Sequence, residues 1–222
     1  MKISSDTLTV LQNFATINNG IQVKPGSRLQ TISSGKTLLA SASITESFDV
    51  PFCIYDLSQF LGTLSLFDSP DIDFGENAMT ISEGSTNLKY VYADPNTIIT
   101  VPDKRLECDG DIVFDIEAAD MSKLSKAANV LNLPNFVITK HGDDLVASAT
   151  DVKNSTSNNF RINVEAVTVP ENEFKMVMRF ENLRLLPDDY RVKISSKGIS
   201  NFDGTRAEYC VAVEQNDSEF NN

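Results

Sequence analysis

The chain has 222 residues, of which 41% are hydrophobic and 23% charged, a composition typical of one large or two modest globular domains. Its formal net charge of −12 argues against a surface that is basic overall, although a single face could differ from the average. No apolar run reaches 18 residues and the first residues lack the apolar core of a signal peptide, so we expect neither a membrane span nor secretion. The odd, widely spaced cysteines indicate free thiols in a reducing cytoplasm rather than a disulfide framework. These are Cys53, Cys108 and Cys210.

The first half of the chain predicts two helices among short strands. A helix should run from Asp6 to a stop at Gly20, because Ser4 or Ser5 provides an N-terminal cap and apolar residues recur at helical spacing. A second helix is predicted at Asp56–Phe67, capped by Asp56. Strands are predicted at Ile21–Lys24, Arg28–Ser33, Thr37–Ile44, Val50–Tyr55, Ala78–Ser82 and Leu88–Tyr92, with a hairpin turn at Ser34-Gly35.

The pattern then restarts after a candidate linker, residues 95–110, which is rich in proline, glycine and mixed charge. We therefore expect two domains, 1–107 and 108–222. The second domain is predicted to hold a helix from an Asp120 cap to Leu133 and a short helical segment, Glu181–Leu186. A closing hairpin should pair Tyr190–Ser196 with Arg206–Glu214 across Asn201–Gly204. The other predicted strands are Ile112–Glu117, Phe136–Lys140, Leu145–Thr150, Asn159–Glu165 and Phe174–Arg179. This repeat predicts a duplicated α+β fold, with antiparallel sheets and helices on one face of each.

Enzyme signatures are missing from the sequence. The single histidine, His141, lies in a predicted turn and cannot supply a cluster of imidazole ligands. Residues 34–37 match the end of a phosphate-binding loop, but the first glycine of that motif is absent. Asp188 and Asp189 form a carboxylate pair in what we interpret as a solvated turn. We therefore expect a protein that is not an enzyme, without catalytic residues, cofactor or metal.

Charge is unevenly distributed along the chain. Five acidic residues and no cation lie between Asp68 and Ser85. Lys123 and Lys126, three apart, share one side of the predicted third helix. Periodicity alone favours ordinary exposed lysines. Taken with the repeat, the alternative is a mildly basic helical face that contacts phosphates weakly and without sequence preference. The candidate phosphate-contacting residues of such a face are Lys2, Lys123, Lys126 and Arg184.

Several short segments of the chain form a recognisable set. They are Asn13-Phe14-Ala15-Thr16-Ile17-Asn18, Ile54-Tyr55-Asp56-Leu57, Phe60-Leu61-Gly62 and Leu64-Ser65-Leu66, and further Ala93-Asp94-Pro95 and Asp217-Ser218-Glu219-Phe220. Through these segments the chain resembles the sliding clamp of T-even-like tailed bacteriophages, the polymerase processivity factor. The resemblance is strong over roughly residues 1–70, and beyond the linker it is limited to the pattern of residues. The resemblance further implies that the basic residues named above face DNA.

The resemblance implies the DNA-clamp fold, with two similar domains, sheets outside and two helices each on an inner face. It further implies a ring-shaped homotrimer that encircles double-stranded DNA independently of sequence, in the cytoplasm of the infected bacterial host. The implied partners are a replicative DNA polymerase, a clamp loader and late-transcription factors. Four helices in each of three chains, spaced ~9 Å apart, would line a circle roughly 34 Å across and leave a hole of about 24 Å, which admits B-DNA.

Two other interpretations stay open at this point. One is a structural ring or tube protein of a phage particle, which would self-associate without a basic inner face. The other is an enzyme that uses carboxylates such as Asp56 and Asp188. A departure from the expected clamp is that the first helix has no Lys or Arg between Asp6 and Asn19.

Overall fold

The computed structural model describes residues 1–102, 108, 110–142 and 144–220. They fall into two compact units, Met1–Lys104 and Arg105–Asn222. Residues 103–107 and 109, where the expected domain boundary lies, are outside the described residues, so that boundary stays a prediction. The expected linker does not begin as an irregular loop. Its first residues, Pro95–Thr97, form a 3-10 turn capped by Asp94. Within the described residues, no helix combines the length and apolarity needed to cross a membrane.

Among its described residues, unit 1 contains two α-helices and seven strands. Helix α1 (Ser5–Ile17) begins where the Ser4 side chain accepts a hydrogen bond from the Thr7 amide, and α2 (Leu57–Leu64) is capped in the same way by Asp56. Both predicted helices are confirmed, although α2 ends three residues earlier than expected. The strands are β1 (Ile21–Val23), β2 (Gly26–Ile32), β3 (Leu38–Phe48), β4 (Phe52–Ile54), β5 (Asp71–Phe74), β6 (Ala78–Glu83) and β7 (Thr86–Val91).

The strands of unit 1 pair antiparallel. β1 pairs with β4, β2 with β3, and β5, β6 and β7 form a meander. Residues before α1 extend this meander: the Met1 amino group donates to the Ile72 carbonyl (2.7 Å) and the Ile72 amide donates back to Met1 (2.8 Å). This two-way exchange is the hydrogen-bonded pair of an antiparallel ladder.

Unit 2 contains α3 (Ala118–Leu131) and ten strands among its described residues. One sheet has the order β11-β10-β9-β13-β17, and β12, β8, β14, β15 and β16 are neighbours in a second array. The strands are β8 (Ile112–Ile116), β9 (Asn135–His141), β10 (Asp144–Thr150), β11 (Asn159–Asn163), β12 (Glu165–Thr168), β13 (Phe174–Arg179), β14 (Tyr190–Ser195), β15 (Ile199–Asp203), β16 (Glu208–Ala212) and β17 (Glu219–Phe220).

The predicted helical segment Glu181–Leu186 is confirmed only as a single 3-10 turn, Phe180–Asn182, and its extension to Leu186 is wrong. The buried Leu186 amide donates to the Tyr209 hydroxyl (3.1 Å), and the Tyr190 hydroxyl donates to the Leu186 carbonyl. Because these tyrosines bind both backbone groups of Leu186, no helix continues through that residue. The described residues therefore hold three α-helices, one fewer than the ring estimate assumed.

Two further predictions in unit 2 need correction. The closing hairpin is a three-stranded meander, because β15 lies between β14 and β16 and pairs with both. The overlooked turn is at Gly198, whose φ of +95° suits glycine. The cap predicted at Asp120 is also wrong, since α3 begins at Ala118 and places Asp120 in its first turn.

The pairing pattern confirms the internal repeat. The residues before α1 pair with β5 as β8 pairs with β14. β1 pairs with β4 as β9 pairs with β13, and β2 pairs with β3 as β10 pairs with β11. The meander β5-β6-β7 corresponds to β14-β15-β16. The strand pairs thus follow the same order in both units, with the 3-10 turn of unit 2 at the position of α2.

Candidate nucleic-acid interface

The exposed side of α1 and α2 is polar but almost uncharged. The opposite side of α1 is buried through Val10, Leu11 and Phe14, and α1 packs against α2. Neither helix contains Lys or Arg. Acidic groups are equally scarce, since Asp6 in the first turn of α1 is the one carboxylate within the two helices. The exposed side chains are Ser5, Asp6, Gln12, Thr16, Ser58 and Gln59.

The basic residues of unit 2 include two on one side of α3. Met121, Leu124 and Ala128 are buried, while Lys123 and Lys126 are exposed. The Lys123 ammonium lies 2.7 Å from the Asp120 carboxylate, and this hydrogen bond raises the pKa of Lys123. The neighbouring carboxylate also offsets part of the positive field of Lys123, so Lys126 contributes more of the potential on this face.

The other two candidate residues lie outside α-helices. Arg184 is exposed after the 3-10 turn, and its Nε donates to the Glu181 carbonyl (3.0 Å). Lys2 is in the extended segment before α1, where its Nζ donates to the Ser69 hydroxyl (3.0 Å). The structure therefore brings Lys123 and Lys126 together on one helix, and places Lys2 in the other unit beside an acidic stretch of sequence.

A carboxylate far along the chain positions α3. The Ala118 amide, the first of the helix, donates to Asp189 Oδ1 (2.7 Å), whereas Glu117 at the cap position makes no such side-chain bond. Sequence analysis missed this contact because the two residues are 71 apart. No local motif indicates a cap supplied from the loop before β14.

The carboxylates considered for an enzyme hold loops and helix ends. Asp188 Oδ2 accepts hydrogen bonds from the Thr205 amide (2.9 Å), the Thr205 hydroxyl (2.7 Å) and the Arg206 amide (3.2 Å). Burial alone would raise the pKa of Asp188, but these donors lower it below its usual range. Asp56 accepts from the Gln59 amide (2.8 Å) at the start of α2. Each carboxylate has a structural partner of its own.

The remaining motifs also have structural roles. Ser33 Oγ accepts hydrogen bonds from the amides of Thr37 and Leu38. These bonds close the β2–β3 hairpin. Residues 34–37 therefore form the predicted hairpin turn and not a phosphate-binding loop. His141 ends β9 and is exposed; its predicted turn extends to residue 143, outside the described residues. In the described part of the chain, no group of three or more His, Cys, Asp or Glu side chains is placed to hold a metal ion.

Two units with this shared order of antiparallel strands define the fold of DNA clamps. PCNA from Thermococcus kodakaraensis superposes with a TM-score of 0.72 over 96% of this chain and 99% of that one, at 13% identity. PCNA from A. fulgidus, bound to the C-terminal region of FEN-1, gives 0.72 over 100% and 98%, at 12% identity. The Helicobacter pylori beta clamp bound to a DNA ligase peptide gives 0.65 over 100% of this chain and 68% of that one, at 12% identity. The predicted clamp fold is confirmed.

Sequence relatives are phage sliding clamps. The family described as DNA polymerase processivity factor matches residues 4–100, and the gp45 sliding clamp C-terminal family matches residues 113–215. The sliding clamp of Vibrio phage KVP40 is 37% identical over 96% of this chain and 99% of its own length. That of Enterobacteria phage T4 is 31% identical over 96% and 97%. The chain therefore belongs to the sliding clamp family of T4-like phages, the DNA polymerase processivity factors. Nothing in these relationships supports a structural ring or tube protein.

Proposed function

We propose that three copies of this chain form a closed ring around double-stranded DNA and tether the replicative polymerase to it. The observation that carries the proposal is the 37% identity to a phage sliding clamp along 96% of the chain. The ring acts by topology and catalyses no reaction. It works in the cytoplasm of the infected bacterium, where a clamp loader opens it and late-transcription factors use it as a platform.

Two strand edges support assembly into a ring. Among the described residues, β7 pairs with β6 on one side and β11 pairs with β10 on one side. β7 also exposes an apolar side chain, Val91, which is 66% exposed. Such an edge is a template for another strand. Because the two edges belong to different units, a contact of β7 with β11 of the next copy is head-to-tail, and it closes into a trimer when each copy turns by 120°.

The helix faces support a channel through which DNA slides. Lys123 and Lys126, with Arg184 and Lys2, attract phosphates without reading bases. The uncharged side of α1 and α2 adds no cations, yet its near lack of carboxylates avoids repelling the duplex. Weak, sequence-independent attraction lets the ring shift along DNA while topology keeps it bound.

Partner binding is proposed by analogy with other clamps. The A. fulgidus and Helicobacter pylori proteins described above were solved with segments of FEN-1 and DNA ligase. We infer that the replicative polymerase, the clamp loader and the late-transcription factors likewise dock short segments on this chain.

The mass in solution tests the assembly. Light scattering should give about 73 kDa, three times the 24.4 kDa chain mass, at micromolar concentration. A stable monomer or dimer under these conditions would contradict the ring.

A further inference from the structure

β1 and β2 of unit 1 lie side by side without forming a ladder. The two strands are in contact, but among the described residues β1 pairs with β4 and β2 pairs with β3, and the two pairs belong to separate sheets. The strands at the same place in unit 2, β9 and β10, pair over seven residues. Unit 1 therefore has a seam, here named the β1–β2 seam, where unit 2 has a continuous ladder.

A small cavity lies in the β1–β2 seam. Its volume is about 20 Å³, and its walls come from residues 20–22 and 24, from Arg28, Gln30 and Thr31 of β2, and from residues 99–101. A cavity needs at least about 10–15 Å³ to hold one water molecule. This cavity therefore has room for a single water and is too small for an organic ligand.

One wall of the cavity contains a buried hydroxyl that has no partner in the protein. Thr31 is 2% exposed, and its Oγ1 makes no hydrogen bond to any described residue. The residue opposite Thr31 in β3 is Ala40, which is fully buried and has no polar side-chain atom to offer. Burying a hydroxyl without a hydrogen bond is unfavourable, so a small polar ligand beside it would be stabilising.

The cavity walls also contain polar groups that can complete the hydrogen bonds of a water molecule. Gln22 and Gln30 carry side-chain amides and are half-buried. Each strand also has backbone N–H and C=O groups on the edge that faces the other strand, and a ladder would have satisfied these groups. A buried water typically makes about three hydrogen bonds, and the Thr31 hydroxyl with two of these groups would provide them.

We propose that one ordered water molecule occupies the β1–β2 seam, hydrogen-bonded to the Thr31 hydroxyl and to polar groups of both strands. The water links β1 to β2 in unit 1, where direct backbone bonds link β9 to β10 in unit 2. Lys24 and Arg28 also line the cavity, so a small anion such as chloride is the alternative ligand. The Arg28 guanidinium donates to the Ser41 hydroxyl of β3 (3.0 Å), and this bond directs part of its charge to the neighbouring strand and favours the neutral ligand.

The sign of a stability change tests the bond to the hydroxyl. Thr31→Val removes the hydroxyl and nearly keeps the volume of the side chain. Because the water would lose a partner, the melting temperature should fall by about 2–4 °C. A hydroxyl without any partner would give the opposite result, since Thr31→Val would then remove an unsatisfied polar group. Thr80→Val, at an exposed position in β6, is the matched control and should leave the melting temperature unchanged. An unchanged or higher melting temperature of Thr31→Val would overturn the proposal.

High-resolution crystal structures test the ligand directly. The parent chain should show one water about 2.8 Å from Thr31 Oγ1. Thr31→Ser keeps the hydroxyl and should retain this water, whereas Thr31→Val should lose or displace it. Crystals grown in bromide report on an anion through anomalous scattering, and no bromide peak is expected in the seam. A seam without a water at Thr31, or one that holds bromide, would contradict the proposal.

Discussion

Glu46, in β3, ties the start of α1 to the sheet beneath it. Its carboxylate accepts hydrogen bonds from the Ser4 amide and from the Thr7 hydroxyl, the latter at 2.5 Å. Burial alone would raise the pKa of Glu46, but these bonds lower it from 4.5 to about 2. Because the pKa is lower in the folded chain, the stabilisation is present above pH 4.5 and is lost as the pH falls from 4.5 towards 2.

Glu46→Gln should lower the free energy of unfolding by about 1–2 kcal/mol at neutral pH, since it removes a charged acceptor from the Ser4 amide and from the Thr7 and Thr45 hydroxyls. The difference from the parent chain should shrink as the pH falls towards 2. Urea denaturation at pH 7 and pH 3 measures both values. Glu76→Gln, at an exposed carboxylate between β5 and β6, is the control. An equal loss in both variants, or a difference independent of pH, would contradict the assigned role.

Replacing Lys123, Lys126 and Arg184 with alanine should impair loading and processive synthesis while leaving stability almost unchanged. Exposed substitutions usually change stability by about ±0.5 kcal/mol each. The proposed trimer would lose nine phosphate-directed cations, three from each chain. Among single variants, Lys126→Ala should have a larger effect than Lys123→Ala, because Lys123 already pairs with Asp120.

Primer extension at several salt concentrations, with melting temperatures, measures this effect. Asp71→Ala with Asp73→Ala, on the exposed side of β5, is the control and should spare DNA passage. Glutamate at the three basic positions should be worse than alanine. Normal processivity of the triple alanine variant at moderate salt would show that these residues do not face DNA.

At the scale of the elements, α3 depends on a cap from a distant part of the chain, the Asp189 carboxylate just before β14. Asp189→Ala should lower the free energy of unfolding by about 0.5–2 kcal/mol, the usual effect of losing a helix cap. Glu117→Ala is a matched control, because Glu117 occupies the cap position without a side-chain cap bond. Chemical denaturation compares the two. If Glu117→Ala cost as much as Asp189→Ala, the cap would have been assigned to the wrong carboxylate.

Some helix boundaries could be predicted from the sequence and others could not. The starts of α1 and α2 were predictable because Ser4 and Asp56 cap amides only three residues away. The cap of α3 was not, because its donor and acceptor are 71 residues apart. The segment after Phe180 has helical periodicity, but tyrosines from β14 and β16 bind its backbone. Local signals identify elements, whereas contacts between distant strands decide where several of them end.

The candidate DNA-facing residues were predicted less completely. Helical spacing placed Lys123 and Lys126 on one exposed side of α3, as the structure shows. It gave no sign that Lys123 bonds to Asp120 or that Lys2 bonds to Ser69. Side-chain partners of this kind depend on tertiary packing, which charge counts along a sequence do not contain.

Val91→Asp should weaken the proposed trimer without unfolding the chain. Val91 is 66% exposed on the edge strand β7, and a buried carboxylate at a strand–strand contact would be unpaired. Sedimentation at several protein concentrations should show dissociation at concentrations where the parent chain remains trimeric. Leu66→Asp, at a 74% exposed apolar residue after α2, should remain trimeric. Identical behaviour of the two variants would remove β7 from the interface.

At the scale of the whole molecule, duplication gives one chain two similar units whose strand edges differ, and unlike edges permit a closed head-to-tail ring. A ring that encircles DNA stays on it even when its affinity for DNA is low. Few cations should give low affinity for DNA, weakened further by salt, with each phosphate contact contributing about 0.9 to the logarithmic salt slope. Retention, in contrast, should depend on whether the DNA has an end.

The most direct measurement follows the protein on nicked circular DNA after loading with ATP and the clamp loader. We predict that the ring stays bound through a salt wash and is released when a restriction enzyme linearises the circle. Without the loader, neither DNA should retain it. Equal and tight binding to circular and linear DNA without a loader would contradict encirclement.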